Sequence, residues 1–198
     1  MLEPFIAGYL QRPTGIAYSR FNKLLYIVDT TANQVVAVDE RGAERLRIST
    51  KYNGDGQFNR PTDIFVDAQG KVYVTDSLNY LIRVFTADGK PVNQFGAAGD
   101  IPGSLDKPKG VAVDSEGHIY VNDALLDAVQ IFDSKGQFLL SFGSAGTRNG
   151  EFWMPSGIWI DRKDYIFIAD TYNQRVQVFR YLPATGPDQG TARKPVQN

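Results

Sequence analysis

Four aspartates, Asp29, Asp76, Asp123 and Asp170, recur 47 residues apart each time. Carboxylates can serve as general acids or bases or bind a metal, and each of these roles would need one converging set rather than one carboxylate per repeat. A regular series is better explained by hydrogen bonds that hold loops. Asp67, Asp114 and Asp161 sit in the turns of Asp-x-x-Gly-like phrases and read the same way. The one histidine, His118, falls at a turn-to-strand junction where Lys71 stands a repeat earlier, so it reads as an exposed strand-start residue rather than a general base. A single histidine cannot build a multi-histidine zinc centre, and the absence of cysteine removes thiol catalysis, disulfides and thiolate metal sites. Gly143, Gly146 and Gly150 invite a phosphate-cradle reading, but no strand-to-helix junction follows them, and they read as turn glycines. No residue is therefore assigned a catalytic, cofactor-binding or metal-ligating role.

The elements that carry these residues repeat as well. RPTDIFVDAQGKVYVTD at 60–76 returns as KPKGVAVDSEGHIYVND at 107–123 and MPSGIWIDRKDYIFIAD at 154–170, with a copy one residue longer at 12–29. Each unit predicts four short strands of β-branched and aromatic residues, joined by turns in which Asp caps and Gly takes positive φ. In the third unit these are Gly110–Val113, Ile119–Asn122, Val129–Phe132 and Phe138–Phe142. Consecutive apolar residues rather than strict alternation imply sheets covered on both faces. Four-stranded antiparallel sheets stacked once per period of about 40–50 residues describe an all-β propeller. The linking loops repeat too: Gly56–Pro61, Gly103–Pro108 and Gly150–Pro155 each place an aromatic or Leu to fill the gap between sheets and a Pro to stiffen the next strand.

The phrases PSGIWIDRKDYIFIADTYNQRVQVF and PKGVAVDSEGHIYVNDALLDAVQIFDSKGQFLLSFGSAG resemble the NHL repeat, a β-propeller family. The resemblance covers about residues 8–182 and is to the C-terminal four blades of bacterial six-bladed NHL proteins. It implies repeat units at 11–58, 59–105, 106–152 and 153–182, and a disordered tail at 183–198. Asp-x-x-Asn-x-Arg is intact only at Asp170, Asn173 and Arg175; Leu81 stands for Arg in the second unit, Leu126 and Ala128 depart in the third, and Ala32 and Gln34 in the first. The lone histidine argues against the zinc-dependent amidating lyases that share this propeller. The last unit stops after its third strand, and Gly8–Pro13 matches the end of a linking loop. The expectation is that about two blades precede Met1, unless Pro4–Ala7 supplies an outer strand. The chain alone would then need those blades, or self-association, to close the ring.

Composition bounds the function. Net charge is −1, from 21 basic and 22 acidic residues, so no global field attracts nucleic acid, and no apolar run reaches membrane-span length. MLEPFIAGYL lacks a basic n-region and carries Glu3 and Pro4, so it is not an export signal as it stands. The resemblance nonetheless implies a periplasmic or extracellular setting. The informative residues are those that vary on one rim: Arg12, Arg60, Lys107 and Lys109 at the strand entries, Leu78, Leu125 and Tyr172 in the second-to-third-strand loops, and Asp63, which breaks the glycine series Gly15, Gly110, Gly157. Cations beside apolar groups suit a partner's surface. The first reading is thus a non-catalytic scaffold for a protein, peptide or glycan. A propeller hydrolase or lyase of the lactonase or streptogramin-lyase kind is second, with Asp63 its sole unusual carboxylate, and an RNA-binding NHL domain third.

Overall fold

A computed structural model describes residues 8–49 and 57–181. The expected tail at 183–198 and the strand expected at Pro4–Ala7 lie outside the described residues. Among those described there are fifteen strands, one 3-10 turn at Ser77–Asn79 and no α-helix. Among the described residues no helix is long and apolar enough to cross a membrane.

The strands form four antiparallel meanders. The first blade is β1 (Pro13–Ser19), β2 (Leu24–Asp29), β3 (Gln34–Val38) and β4 (Glu44–Ile48). The second is β5 (Pro61–Val66), β6 (Val72–Asp76), β7 (Leu81–Phe85) and β8 (Pro91–Phe95). The third is β9 (Pro108–Val113), β10 (Ile119–Asp123), β11 (Ala128–Phe132) and β12 (Phe138–Phe142). The fourth has three described strands, β13 (Pro155–Ile160), β14 (Tyr165–Asp170) and β15 (Arg175–Arg180). Each innermost strand begins at the repeated proline, a position where a missing N–H costs no ladder bond. The hairpin turns behave as the sequence predicts. Asp67 Oδ1 accepts the N–H groups of Gln69 and Lys71, and Gly70 closes the turn at φ +86°.

Blades stack face to face with the innermost strands adjacent in the order β1, β5, β9, β13. β3, β6 and β10 are buried along their whole length, which is why each carries consecutive apolar residues rather than strict alternation; the outer strands β4 and β12 are largely exposed. Three clusters fill the three gaps. Tyr26, Val28 and Val35 meet Ile64 and Val74; Tyr73 and Ile82 meet Val111 and Val121; Tyr120 and Ile131 meet Ile158 and Ile168. Phe58, Leu105 and Phe152, one from each linking loop, are fully enclosed in these clusters, as their spacing predicts.

The repeated aspartates are the ties between loop and blade. All four have no exposed surface. Asp29 accepts the backbone N–H groups of Gln11 and Arg12, both at 2.8 Å. Asp76 accepts Asn59 N–H at 2.7 Å, Asp123 those of Asp106 and Lys107 at 2.8 and 2.9 Å, and Asp170 that of Trp153 at 2.8 Å. Each carboxylate therefore grips the loop that enters its own innermost strand. Burial pushes the Asp29 carboxyl up, but the donors Gln11, Arg12 and Ala32 outweigh it and hold it below its ordinary range. Asp170 behaves alike, with Trp153, Asn173, Arg175 and Gln177 as donors.

Arg83 was not singled out in the sequence, yet its Nε donates to Asp76 at 2.6 Å with both side chains buried, supplying the cation that Leu81 cannot. Gln130 and Gln177 follow it at 47-residue steps and reach into the linking loops: Gln130 accepts Gly103 N–H, and Gln177 accepts Gly150 N–H.

Replacing Asp123 by Ala leaves buried loop donors unmatched and should destabilise the chain by about 1–3 kcal/mol. Asp76→Ala also strips the carboxylate from a buried guanidinium and should cost more, about 3–5 kcal/mol. Urea unfolding of the two variants checks the order; equal losses would contradict the role given to Arg83.

Candidate functional rim and inner wall

The linking loops and the second-to-third-strand loops open on one face, because each pair is joined by backbone bonds. Thr30 N–H donates to Arg12 O, Leu78 to Asn59 O, Ala124 to Lys107 O and Tyr172 to Trp153 O, all at 3.0–3.1 Å. Neighbouring blades are latched at the same level. The Thr30 hydroxyl donates to Pro61 O at 2.7 Å and that of Ser77 to Pro108 O at 2.8 Å, one residue beyond the buried aspartate in each case. In the third blade this position is Ala124, which has no hydroxyl to donate. Arg60 and Met154 adopt left-handed backbone conformations, φ 54° and 52°. Their N–H groups are held by Asn33 and Asp127 of the preceding blade, which offsets the cost of that conformation.

On this scaffold Leu78, Leu125 and Tyr172 stand 47%, 51% and 55% exposed. Phe152 fills the gap between blades, while its neighbour Trp153 is 49% exposed and packs its ring 5.4 Å from that of Tyr172. Arg12 and Arg60 are exposed, and Lys107 and Lys109 half-buried. No carboxylate lies within ion-pair distance of these four cations among the described residues. Burial, then the charges of Lys107 and Arg12, push the Lys109 ammonium below its ordinary range.

Asp63 is placed apart from these residues. It lies on β5 with its carboxylate turned into the wall of the central cleft, a cavity of about 660 Å³ lined also by Ile16, Tyr18, Phe21 and Trp159. A methyl group on Gly15 would stand 3.1 Å from Asp63 Oδ1, and one on Gly110 3.2 Å from Oδ2. The glycines at those positions are what admit the carboxylate. Its described donors are backbone N–H groups, Val111 at 3.2 Å and Ile64. Burial pushes its pKa up from 3.8 to about 6 against both.

His118 differs from its expectation as an exposed strand-start residue. It is half-buried, with Nδ1 2.9 Å from Asp114 Oδ2 and its ring against Tyr181, because the capping carboxylate of its own turn lies within reach. No group of three or more His, Asp or Glu side chains comes together to hold a metal among the described residues.

Because the folded carboxyl of Asp63 titrates above the unfolded one, stability falls as pH rises from about 4 through about 6. Asp63→Asn keeps the acceptor and removes the charge. In metal-free buffer it should match the native chain near pH 4 and exceed its stability by about 3 kcal/mol at pH 7.5. Urea unfolding across that range checks it; a difference independent of pH would contradict a carboxylate whose charge the fold disfavours.

Comparison with known proteins agrees with this architecture. Residues 105–182 match a family described as 6-bladed beta-propeller (DUF5128), and residues 58–85 match the NHL repeat. Among solved structures, a streptogramin B lyase is similar with a TM-score of 0.62 at 14% identity, over 86% of this chain and 55% of that one. A protein of unknown function from Bacteroides thetaiotaomicron gives a TM-score of 0.68 at 16% identity, over 84% and 46%. The hydrazine synthase of Kuenenia stuttgartiensis gives 0.61 at 16%, over 87% and 51%. At these identities the likeness is one of fold, and the chain spans about half the length of each. The blade pattern and the carboxylate ties make the described chain a β-propeller of four-stranded blades, within which residues 58–85 match the NHL repeat and residues 105–182 a 6-bladed propeller family.

Proposed function

We propose that the chain is a non-catalytic scaffold that binds a protein, peptide or glycan partner on the rim carrying Arg12, Arg60, Leu78, Lys107, Lys109, Leu125 and Tyr172. The observation that supports it is the exposure of a large apolar side chain at one loop position of three successive blades, over backbone tied on both sides. Exposed apolar side chains on rigid backbone lose little entropy on binding and suit an interface centre. The cations around them lack carboxylate partners among the described residues, which favours a partner with acidic groups. A hydrolase or lyase reading is supported by fold likeness alone, and fold does not carry activity.

Combined Leu78→Ser, Leu125→Ser and Tyr172→Ser substitution should abolish capture of the native partner while moving the melting temperature by less than about 2 °C. Unaltered capture would defeat the reading, and a collapse of stability would show the three side chains to be core. Capture of RNA that weakens steeply with salt would assign the rim to nucleic acid instead.

A further inference from the structure

The strand level that holds Asp63 is polar in two blades and apolar in the other two. Its inner-strand positions are Gly15, Asp63, Gly110 and Gly157, paired across the ladder with Val28, Thr75, Asn122 and, 47 residues on, Ala169. In the first and fourth blades the level is glycine against an apolar residue. In the second and third it carries a carboxylate, a hydroxyl and an amide. Thr75 and Asn122 have no exposed surface, and Thr75 Oγ1 and both polar atoms of Asn122 have no hydrogen-bond partner among the described residues. Buried polar atoms without partners cost stability, and such groups concentrated at one place in a native chain point to something that satisfies them.

Two of these groups meet at Gly110: Asn122 Oδ1 stands 2.6 Å and Asp63 Oδ2 3.2 Å from the point where a side chain there would begin, with the Ile158 Cγ2 methyl 3.0 Å from the same point. The carboxylate has no cation within ion-pair distance among the described residues, although it lines the cleft through which one could arrive.

We propose that this level of the second and third blades binds a small cation, with Asp63 as its charged ligand and the Asn122 amide oxygen beside it. The donors are all oxygen, which selects a hard ion over a thiophilic one. A single carboxylate with neutral oxygens gives weak binding, in the millimolar class of calcium sites, with water from the cleft completing the shell. A protonated primary amine offers the same charge to the same groups. Burial supports the assignment, since the rise of the Asp63 pKa to about 6 marks a carboxylate that gains from a positive neighbour.

The test is thermal unfolding of the full chain at pH 7.5 in about 10 mM calcium chloride, magnesium chloride or methylammonium chloride, each against potassium chloride of equal ionic strength. A millimolar site predicts a rise of about 4 °C in the arm that carries the bound cation. Asp63→Asn should abolish the rise while remaining folded. Asn122→Val, which installs the first blade's residue, should reduce it. A rise with methylammonium alone assigns the site to an organic amine, and a rise with either metal assigns it to the ion. No rise in any arm, or a rise retained by Asp63→Asn, would overturn the proposal. A full rise in Asn122→Val would remove that residue from it.

Discussion

A loop cannot carry a fixed surface unless its backbone N–H groups have partners, and this fold solves that problem with one buried carboxylate per blade. Asp29, Asp76, Asp123 and Asp170 each accept one or two N–H groups from the loop that enters the same blade. A carboxylate is a strong acceptor, and donors aimed at it offset the cost of taking its charge out of water. The enclosed Phe58, Leu105 and Phe152 are delivered by those same loops, so the packing of neighbouring blades depends on the carboxylates as well. Hydrogen bonding sets where the loop runs, and apolar burial supplies most of the driving force.

Repetition then separates structure from function within one sequence. Residues that recur every 47 positions share a mechanical job in each blade, whereas a job done once needs a departure from the series. The rim departs in its side chains while its backbone bonds repeat. The inner wall departs at Asp63, Thr75 and Asn122, where the change is from apolar to polar, with Thr75 and Asn122 buried and Asp63 half-buried at the cleft. These two sets differ in accessibility. The rim carries large exposed apolar groups, whereas Thr75 and Asn122 on the inner wall have no exposed surface.

Much of the fold was legible in the amino-acid order because its signals are local. A strand of β-branched residues, an Asp-x-x-Gly turn and a proline at a strand's first position each act within a few residues, and four copies in phase leave little freedom. The blade series, the turn glycines and the loop residues that fill the gaps follow from that. What was not legible depends on where a side chain points across a distance. Arg83 sits in LIRVF, which reads as an apolar strand, yet its partner Asp76 lies on the adjacent strand beneath a loop. The series Arg83, Gln130, Gln177 carried the signal in its spacing. Asp63 was legible as an exception among glycines, but its enclosure by Gly15 and Gly110 comes from neighbouring blades. His118 read as exposed because the reach of Asp114 across its own turn is a matter of geometry.

The central claim is that the rim is rigid because buried carboxylates hold its loops. Native-state hydrogen exchange on the amides of Arg12, Asn59, Lys107 and Trp153 tests it most directly, since these are the N–H groups that the four aspartates bind. They should be protected to the same degree as the amides of β6 and β10, and Lys107 should lose that protection in Asp123→Ala. Exchange at the rate of the exposed hairpin turns, with β6 and β10 protected, would contradict the claim.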